Sequence, residues 1–285
     1  MTTILVTGST GTVGSRLVAE LARSPNVTVR AATRNPDKAT TRAPNVTFVE
    51  LDLSRPDTMR AAMRGADKLF SLVPLSEEHV AVGKRLIDIA RQHDVAHVVE
   101  LSTASAGQGP EIPFGRWHRA SEEHIEASGI PYTLLRPGLF MTDFIYYWAP
   151  DPTGSIYLPF GDGASSYIDP EDIAGVAALA LTTDGHAGKT YTLTGSEALT
   201  VTQIAEQLGG ATGRPIRYID VPDAAARGAM ESAGMPGWMV TGMLEMFATV
   251  KAGHTAPTTT TVREITGREP RTFAEFARAH AAAWR

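Results

Sequence analysis

The chain has 285 residues, 43% of them hydrophobic and 20% charged, with no cysteine and a formal net charge of −5. This composition is globular rather than disordered, and the missing thiols exclude disulfide scaffolds, thiolate metal sites, iron–sulfur clusters and cysteine nucleophiles. The mild acidity, with no dominant basic patch, argues against nucleic acid or an anionic membrane as the main partner. Residues 1–7 hold a three-residue apolar run before Gly8, too short for a secretory signal. No stretch reaches the roughly 18–20 apolar residues of a membrane span. The sequence therefore reads as soluble and cytoplasmic, and no metal site is expected.

The first 136 residues alternate between strand-like and helix-like patterns. Ile4-Leu5-Val6 reads as a strand, and apolar residues at 13, 17, 18 and 21 give a helix. Strands follow around 27–32 and 46–51. A short helix is expected over 56–63, capped by Ser54 and with Pro56 in its first turn. A fourth strand runs over 68–73. A helix is expected over 76–92, with Glu77 and Glu78 in its first turn. A fifth strand at 96–101, a helix at 116–128 closed by Gly129, and a sixth strand at 132–135 complete the series. Short apolar strands separated by helices predict a mostly parallel sheet covered on both faces. A TIM barrel requires eight such units, and the alternation fades at six.

The remainder has a different texture. Residues 137–169 are rich in Gly, Pro and aromatics. A helix is expected over 170–183 with Asp169 as its cap, then a strand at 189–194 that extends the sheet. Further helices are expected at 200–208, 222–232, 238–250 and 272–283, with a strand at 216–221. The threonine run 258–261 reads as a loop. These later elements suggest a smaller domain.

Gly8-Ser9-Thr10-Gly11-Thr12-Val13-Gly14 follows a strand and opens a helix. A dinucleotide needs close backbone approach to its pyrophosphate and amide groups facing the anion at a helix start. Gly8 suits the tight turn, Gly11 the approach and Gly14 the packing of helix on strand, with Thr10, Thr12 and Val13 completing the loop. No Gly-Lys-Ser/Thr follows, so a P-loop is a poor rival. At the end of the second strand, where NAD-binding folds place an acid for the ribose, this chain has Arg34, with Lys38 nearby. A guanidinium suits a 2′-phosphate, so NADP(H) is favoured over NAD(H); a solvated loop arginine is the plainer alternative. Asp52 and Leu53 follow the third strand, positioned to touch the adenine.

The glycine loop, Thr33-Arg34-Asn35-Pro36, Glu50-Leu51-Asp52-Leu53, His118-Arg119-Ala120-Ser121-Glu122, the run from Pro131 through Leu135-Arg136-Pro137-Gly138, and Asp169-Pro170-Glu171-Asp172 together resemble the NmrA-like family. Members are atypical short-chain dehydrogenase/reductases, and the resemblance is nearest to the NAD(P)H:quinone oxidoreductase and triphenylmethane reductase branch. It implies an α/β fold: a Rossmann-type doubly wound parallel sheet with a smaller C-terminal α/β substrate domain. The cofactor domain is expected over 1–136 with 165–195, and the substrate domain over 137–164 with 196–285. The resemblance implies an NADPH-dependent oxidoreductase passing a hydride to a quinone-like or conjugated aromatic acceptor. The alternative is a non-catalytic NADP(H)-sensing regulator. A small aromatic molecule is the expected partner, with the protein a monomer or homodimer.

The Tyr-x-x-x-Lys of ordinary short-chain dehydrogenases is absent. The matching helix carries His118-x-x-x-Glu122 on one face. His118 could donate or relay a proton near neutral pH, and Glu122 could hold the histidine or a ribose hydroxyl; both could equally be surface groups on a charged helix. Leu72, Val73 and Pro74, Ser102 and Thr103, and Pro137 and Gly138 end the fourth, fifth and sixth strands, where open α/β sheets bind ligands. Phe140, Phe144, Tyr147 and Trp148 lie in the densest aromatic run and suit the wall of an apolar pocket, with inter-domain core as the alternative.

Overall fold

The computed structural model describes residues 1–38, 43–107 and 113–285. In chain order its elements are β1 (Thr2–Val6), α1 (Thr12–Leu21), β2 (Val27–Thr33), β3 (Val46–Glu50), α2 (Pro56–Met63), β4 (Lys68–Ser71), α3 (His79–Gln92), β5 (His97–Leu101), α4 (Pro113–Ala127), β6 (Tyr132–Pro137) and α5 (Asp143–Tyr146). There follow β7 (Ser155–Leu158), β8 (Ala164–Ser165), α6 (Pro170–Thr182), β9 (Lys189–Leu193), β10 (Leu199–Thr200), α7 (Val201–Thr212), β11 (Arg217–Asp220), α8 (Asp223–Ser232), α9 (Gly237–Lys251), α10 (Thr261–Thr266) and α11 (Phe273–Ala279).

One unit gathers residues 1–107, 114–137 and 170–192. Its sheet runs β3-β2-β1-β4-β5-β6-β9, and the first six strands pair in parallel registers such as Leu5 with Leu69 and Val99 with Thr133. The Gly188 N–H bonds Tyr132 O and the Gly138 N–H bonds Leu193 O, so β9 runs in the same sense as β6. This is the expected doubly wound parallel sheet, and its order reverses between β1 and β4. Ile4, Leu5 and Val6 are completely buried because both faces are covered, which explains their unbroken apolar run. α1 packs against α6. Met59, Leu86, Ile125 and Leu134 join α2, α3 and α4 to the sheet in one core.

The second unit contains residues 138–169 and 193–285. Residues 165–169 and 193–195, expected with the sheet, group here instead. Its core is Phe144, Phe160, Tyr167, Phe273 and Phe276 with the apolar faces of α7 and α9. Two small sheets, β8 with β10 antiparallel and β7 with β11 parallel, flank it. α7 and α11 each begin with a reciprocal capping box, Thr200 with Gln203 and Thr272 with Glu275.

Local departures have local causes. Ser54 does not cap α2; Arg55 occupies that position, and the Ser54 hydroxyl donates to Asp52. α3 begins at His79, so Glu77 and Glu78 lie outside its first turn. The threonine run ends in α10 rather than continuing as loop, and the last helix breaks at His280 into a 3₁₀ turn.

Candidate cofactor site

The glycine loop is held by backbone geometry that side chains would obstruct. Gly8 has φ +62°, and Gly11 donates to Gly8 O at 2.9 Å. A Cβ on Gly14 would stand 2.1 Å from Gly8 O. A Cβ on Gly11 would meet only Gly8 O, at 3.2 Å, so that glycine leaves open room outside the loop. Gly11 is also the cap position of α1, with no side-chain cap and no acid in the first turn. The N–H groups of Thr12, Val13 and Gly14 therefore have no intrahelical acceptor, and Ser15 N–H makes the first helical bond, to Gly11 O. Thr10 is exposed, Thr12 half-buried, and Val13 points its side chain into the core.

Two hydroxyls unremarked in the sequence stitch this loop to its neighbours. Ser9 donates to Ala32 O on β2 at 2.7 Å. Thr7 donates to Leu72 O at 3.0 Å and accepts from Leu72 N–H at 2.7 Å. Thr7 thus bridges β1 and the end of β4 where the strand order reverses. Its signal was only a hydroxyl directly after the apolar run Ile4-Leu5-Val6.

Arg34 and Lys38 are exposed beyond β2. Among the described residues neither makes an ion pair. Asp52 is half-buried; its carboxylate accepts from Ser54 N–H and hydroxyl. Those bonds hold its pKa below the ordinary carboxylate value, and the charges of Arg55 and Arg34 lower it further. Leu53 is half-buried beside it.

At the other end of the sheet, Glu122 is fully buried and saturated. Ser102 donates to it at 2.6 Å. Arg136 grips both oxygens, Nε at 2.9 Å and Nη2 at 2.6 Å, and Arg119 adds a bond at 3.1 Å while pairing with Glu126. Burial pushes the Glu122 pKa up, but the hydrogen bonds of Arg136 and Ser102 outweigh it and leave the group ionised below its ordinary value. Arg136 appears in the sequence within a motif, yet nothing there pairs it with a helix residue. Glu122 therefore holds the ends of β5 and β6 rather than His118. Thr103 is half-buried with its hydroxyl 3.3 Å from Ser105. Leu72 is half-buried, Val73 buried and Pro74 exposed. Pro137 is buried, and Gly138 donates to Leu193 O.

His118 is buried against His79, ring centroids 4.6 Å apart. Burial drives its pKa down to about 3, with the His79 ring adding to the effect. It is neutral near pH 7, so the expectation of a neutral-pH proton donor is corrected: no imidazolium is held there to give a proton.

In the second unit the aromatic run divides. Phe144 is wholly enclosed, edge-on to Trp148, Tyr167 and Phe273, and its carbonyl accepts from Trp284 Nε1 at 2.7 Å. Trp148 is buried against Phe160. Both are core, which corrects their assignment to a pocket wall. Tyr147 is 78% exposed, and Phe140 is half-buried with its N–H donating to Asp143. Among the described residues no three His, Asp or Glu side chains are grouped to hold a metal, and no helix is long and apolar enough to cross a membrane.

Known proteins sharpen this picture. The model of the NmrA-like family matches residues 1–277. The chain is 38% identical over 283 residues to an NAD(P)H azoreductase of Xenophilus azovorans, covering 99% of each chain. It is 32% identical over 284 residues to a (4-alkanoyl-5-oxo-2,5-dihydrofuran-3-yl)methyl phosphate reductase of Streptomyces griseus, again covering 99% of each. Among solved structures, the NADPH complex of an NADPH-dependent quinone oxidoreductase from Escherichia coli superposes with a TM-score of 0.84 at 26% identity, covering 96% of this chain and 98% of that one.

Proposed function

The chain belongs to the NmrA-like family, and from that premise we propose that it is an NADPH-dependent oxidoreductase acting on quinone-like, azo or other conjugated aromatic acceptors. The bare, glycine-edged start of α1 carries this reading. Its free N–H groups and open flank fit a pyrophosphate. Gly8, Thr10, Gly11, Thr12, Val13 and Gly14 form that cradle. Arg34 and Lys38 take the 2′-phosphate, and Asp52 and Leu53 border the adenine. Leu72, Val73, Pro74, Ser102, Thr103, Pro137 and Gly138 flank the nicotinamide half.

When bound, the reduced nicotinamide supplies the hydride. An electron-poor acceptor then needs mainly proximity and orientation from the protein. Glu122 serves as a positioning group: it fixes Ser102 and the Arg136 stem at the strand ends. Substrate contact falls to Phe140 and Tyr147, the two of the four rings that are not enclosed. The full-length likeness to an azoreductase supports an acceptor with a conjugated double bond.

The cofactor assignment is tested by Arg34→Asp. Loss of a charge-assisted phosphate contact of about 1.5–3 kcal/mol lowers kcat/KM for NADPH roughly 10- to 150-fold. The value for NADH stays near that of the parent. Equal losses with the two cofactors would overturn the assignment.

A further inference from the structure

Among the described residues, four buried polar atoms on one face of the sheet lack a hydrogen-bond partner: His79 Nε2 on α3, Glu100 Oε2 on β5, and His118 Nδ1 and Ser121 Oγ on α4. They converge. The His79 and His118 rings touch. Gly83, one turn beyond His79, faces Ser121: a Cβ there would lie 3.1 Å from its Oγ. His118, Ser121 and Glu122 share one face of α4. Glu122 stands close enough to Glu100 for its charge to act on that carboxyl. Glu100 is the register partner of Ser71 on β4 and lies two residues before Ser102, on the same side of β5.

Buried polar atoms are almost always bonded, and internal water is the usual partner where protein atoms supply none. His79 Nδ1 faces Pro74 O at 3.3 Å. A carbonyl only accepts, so Nδ1 carries the proton and Nε2 keeps a buried lone pair that no protein donor meets.

The titratable groups of α3 and α4 on this face leave Glu100 alone as a proton holder. Burial keeps His79 and His118 neutral. Glu122 is ionised and tied to Arg136 and Arg119. Glu100 itself is protonated near neutrality: burial pushes its pKa up to about 8, the Ser71 hydroxyl opposes this, and the Glu122 charge adds to it.

We propose that Glu100 is a buried proton store, linked through enclosed water among His79, His118 and Ser121 to the ends of β4 and β5, and that it supplies the proton that follows hydride transfer. The inference rests on the oxidoreductase reading above. With a quinone or an azo acceptor, hydride addition leaves an anion on oxygen or nitrogen. The Glu100 O–H bond breaks, the water chain passes a proton on, and a new O–H or N–H bond forms on the product. Glu100 is left as a carboxylate and regains its proton from solvent. NADPH is oxidised, the acceptor is reduced, and no further reagent is required. A cationic triphenylmethane dye differs, because hydride on its central carbon gives a neutral product with no proton needed.

The test compares these acceptors in Glu100→Gln. Turnover with a quinone or azo dye falls about 100-fold, within the usual range for a lost proton donor, while the cationic dye stays within about twofold of the parent. In the cofactor-free parent, infrared spectroscopy shows a protonated-carboxyl band well below pH 8 that fades as pH rises past that value and is missing in Glu100→Gln. Should the glutamine variant fold poorly, Glu100→Met, which has no exchangeable proton, is read in the same way. Equal slowing of both acceptor types, no slowing of either, or absence of the infrared band in the parent overturns the proposal. If the parent oxidises NADPH with neither acceptor, the oxidoreductase reading fails, and the infrared band still judges Glu100.

Discussion

Gly14→Ala is expected to weaken cofactor binding severely. The added Cβ would sit 2.1 Å from Gly8 O, 2.7 Å from Gly8 C and 3.0 Å from Ser9 Cα. All three are backbone atoms, so no side-chain rotation relieves the contact. Either α1 moves off the sheet or the loop opens. α1 resists moving because Val13, Leu17, Val18 and Leu21 are buried. The loop resists opening because Ser9 and Thr7 tie it to β2 and β4. Overpacking of this kind destabilises by about 1–3 kcal/mol or more, and it displaces the N–H groups proposed to meet the pyrophosphate. Calorimetric titration of Gly14→Ala is expected to show at least about 100-fold weaker NADPH binding together with a lower melting temperature. Gly11→Ala separates the two effects. Its Cβ meets only Gly8 O, at 3.2 Å, so the variant is expected to melt near the parent yet bind NADPH weakly, because the methyl stands where the proposed cradle admits the phosphate. Parent-like affinity in Gly14→Ala would contradict this account of the loop.

Glu122→Ala carries the largest expected loss of stability. It leaves two donors of Arg136, one of Arg119 and the Ser102 hydroxyl without their acceptor. The Arg136 side chain is only 18% exposed, so water repairs little. Breaking one side of a buried ion pair destabilises by about 3–5 kcal/mol, which for a chain of this size lowers Tm by roughly 10 °C. The pH dependence has a definite sign. Glu122 has its pKa lowered in the folded state. Its contribution is present above the ordinary glutamate range and is lost as pH falls through the lowered value. Glu100 acts oppositely: its contribution is present below the ordinary range and is lost as pH rises through about 8. Thermal melts across pH therefore show the Glu122→Ala deficit shrinking toward acid. A deficit that does not change with pH would mean that the carboxylate charge is not what holds Ser102 and Arg136.

The parts legible in the sequence are those governed by local rules. The sheet followed from apolar strands alternating with amphipathic helices, because burial on both faces leaves an unbroken apolar run at Ile4-Leu5-Val6. The glycine loop was legible because Gly8 takes a left-handed φ and Gly14 has no room for a Cβ, requirements that glycine meets. The site's polar interior was not. Glu122 and Arg136 are 14 residues apart on a helix and a strand, and no spacing rule pairs them. The charged residues around His118 suggested a solvated helix, whereas its face packs against His79. The division of the aromatic run was hidden as well. The short turn of α5 sends Phe144 inward and leaves Tyr147 outside, and only tertiary packing decides which ring is enclosed.

The central claim is that this chain turns NADPH over. The direct measurement is loss of reduced-nicotinamide absorbance with purified protein against a panel of quinones, azo dyes and cationic triphenylmethane dyes. The expected result is acceptor-dependent oxidation, stoichiometric with reduced product, faster with NADPH than with NADH and lost in Gly14→Ala. Tight NADPH binding with no oxidation across the whole panel would contradict it and would identify a protein that senses the cofactor without using it.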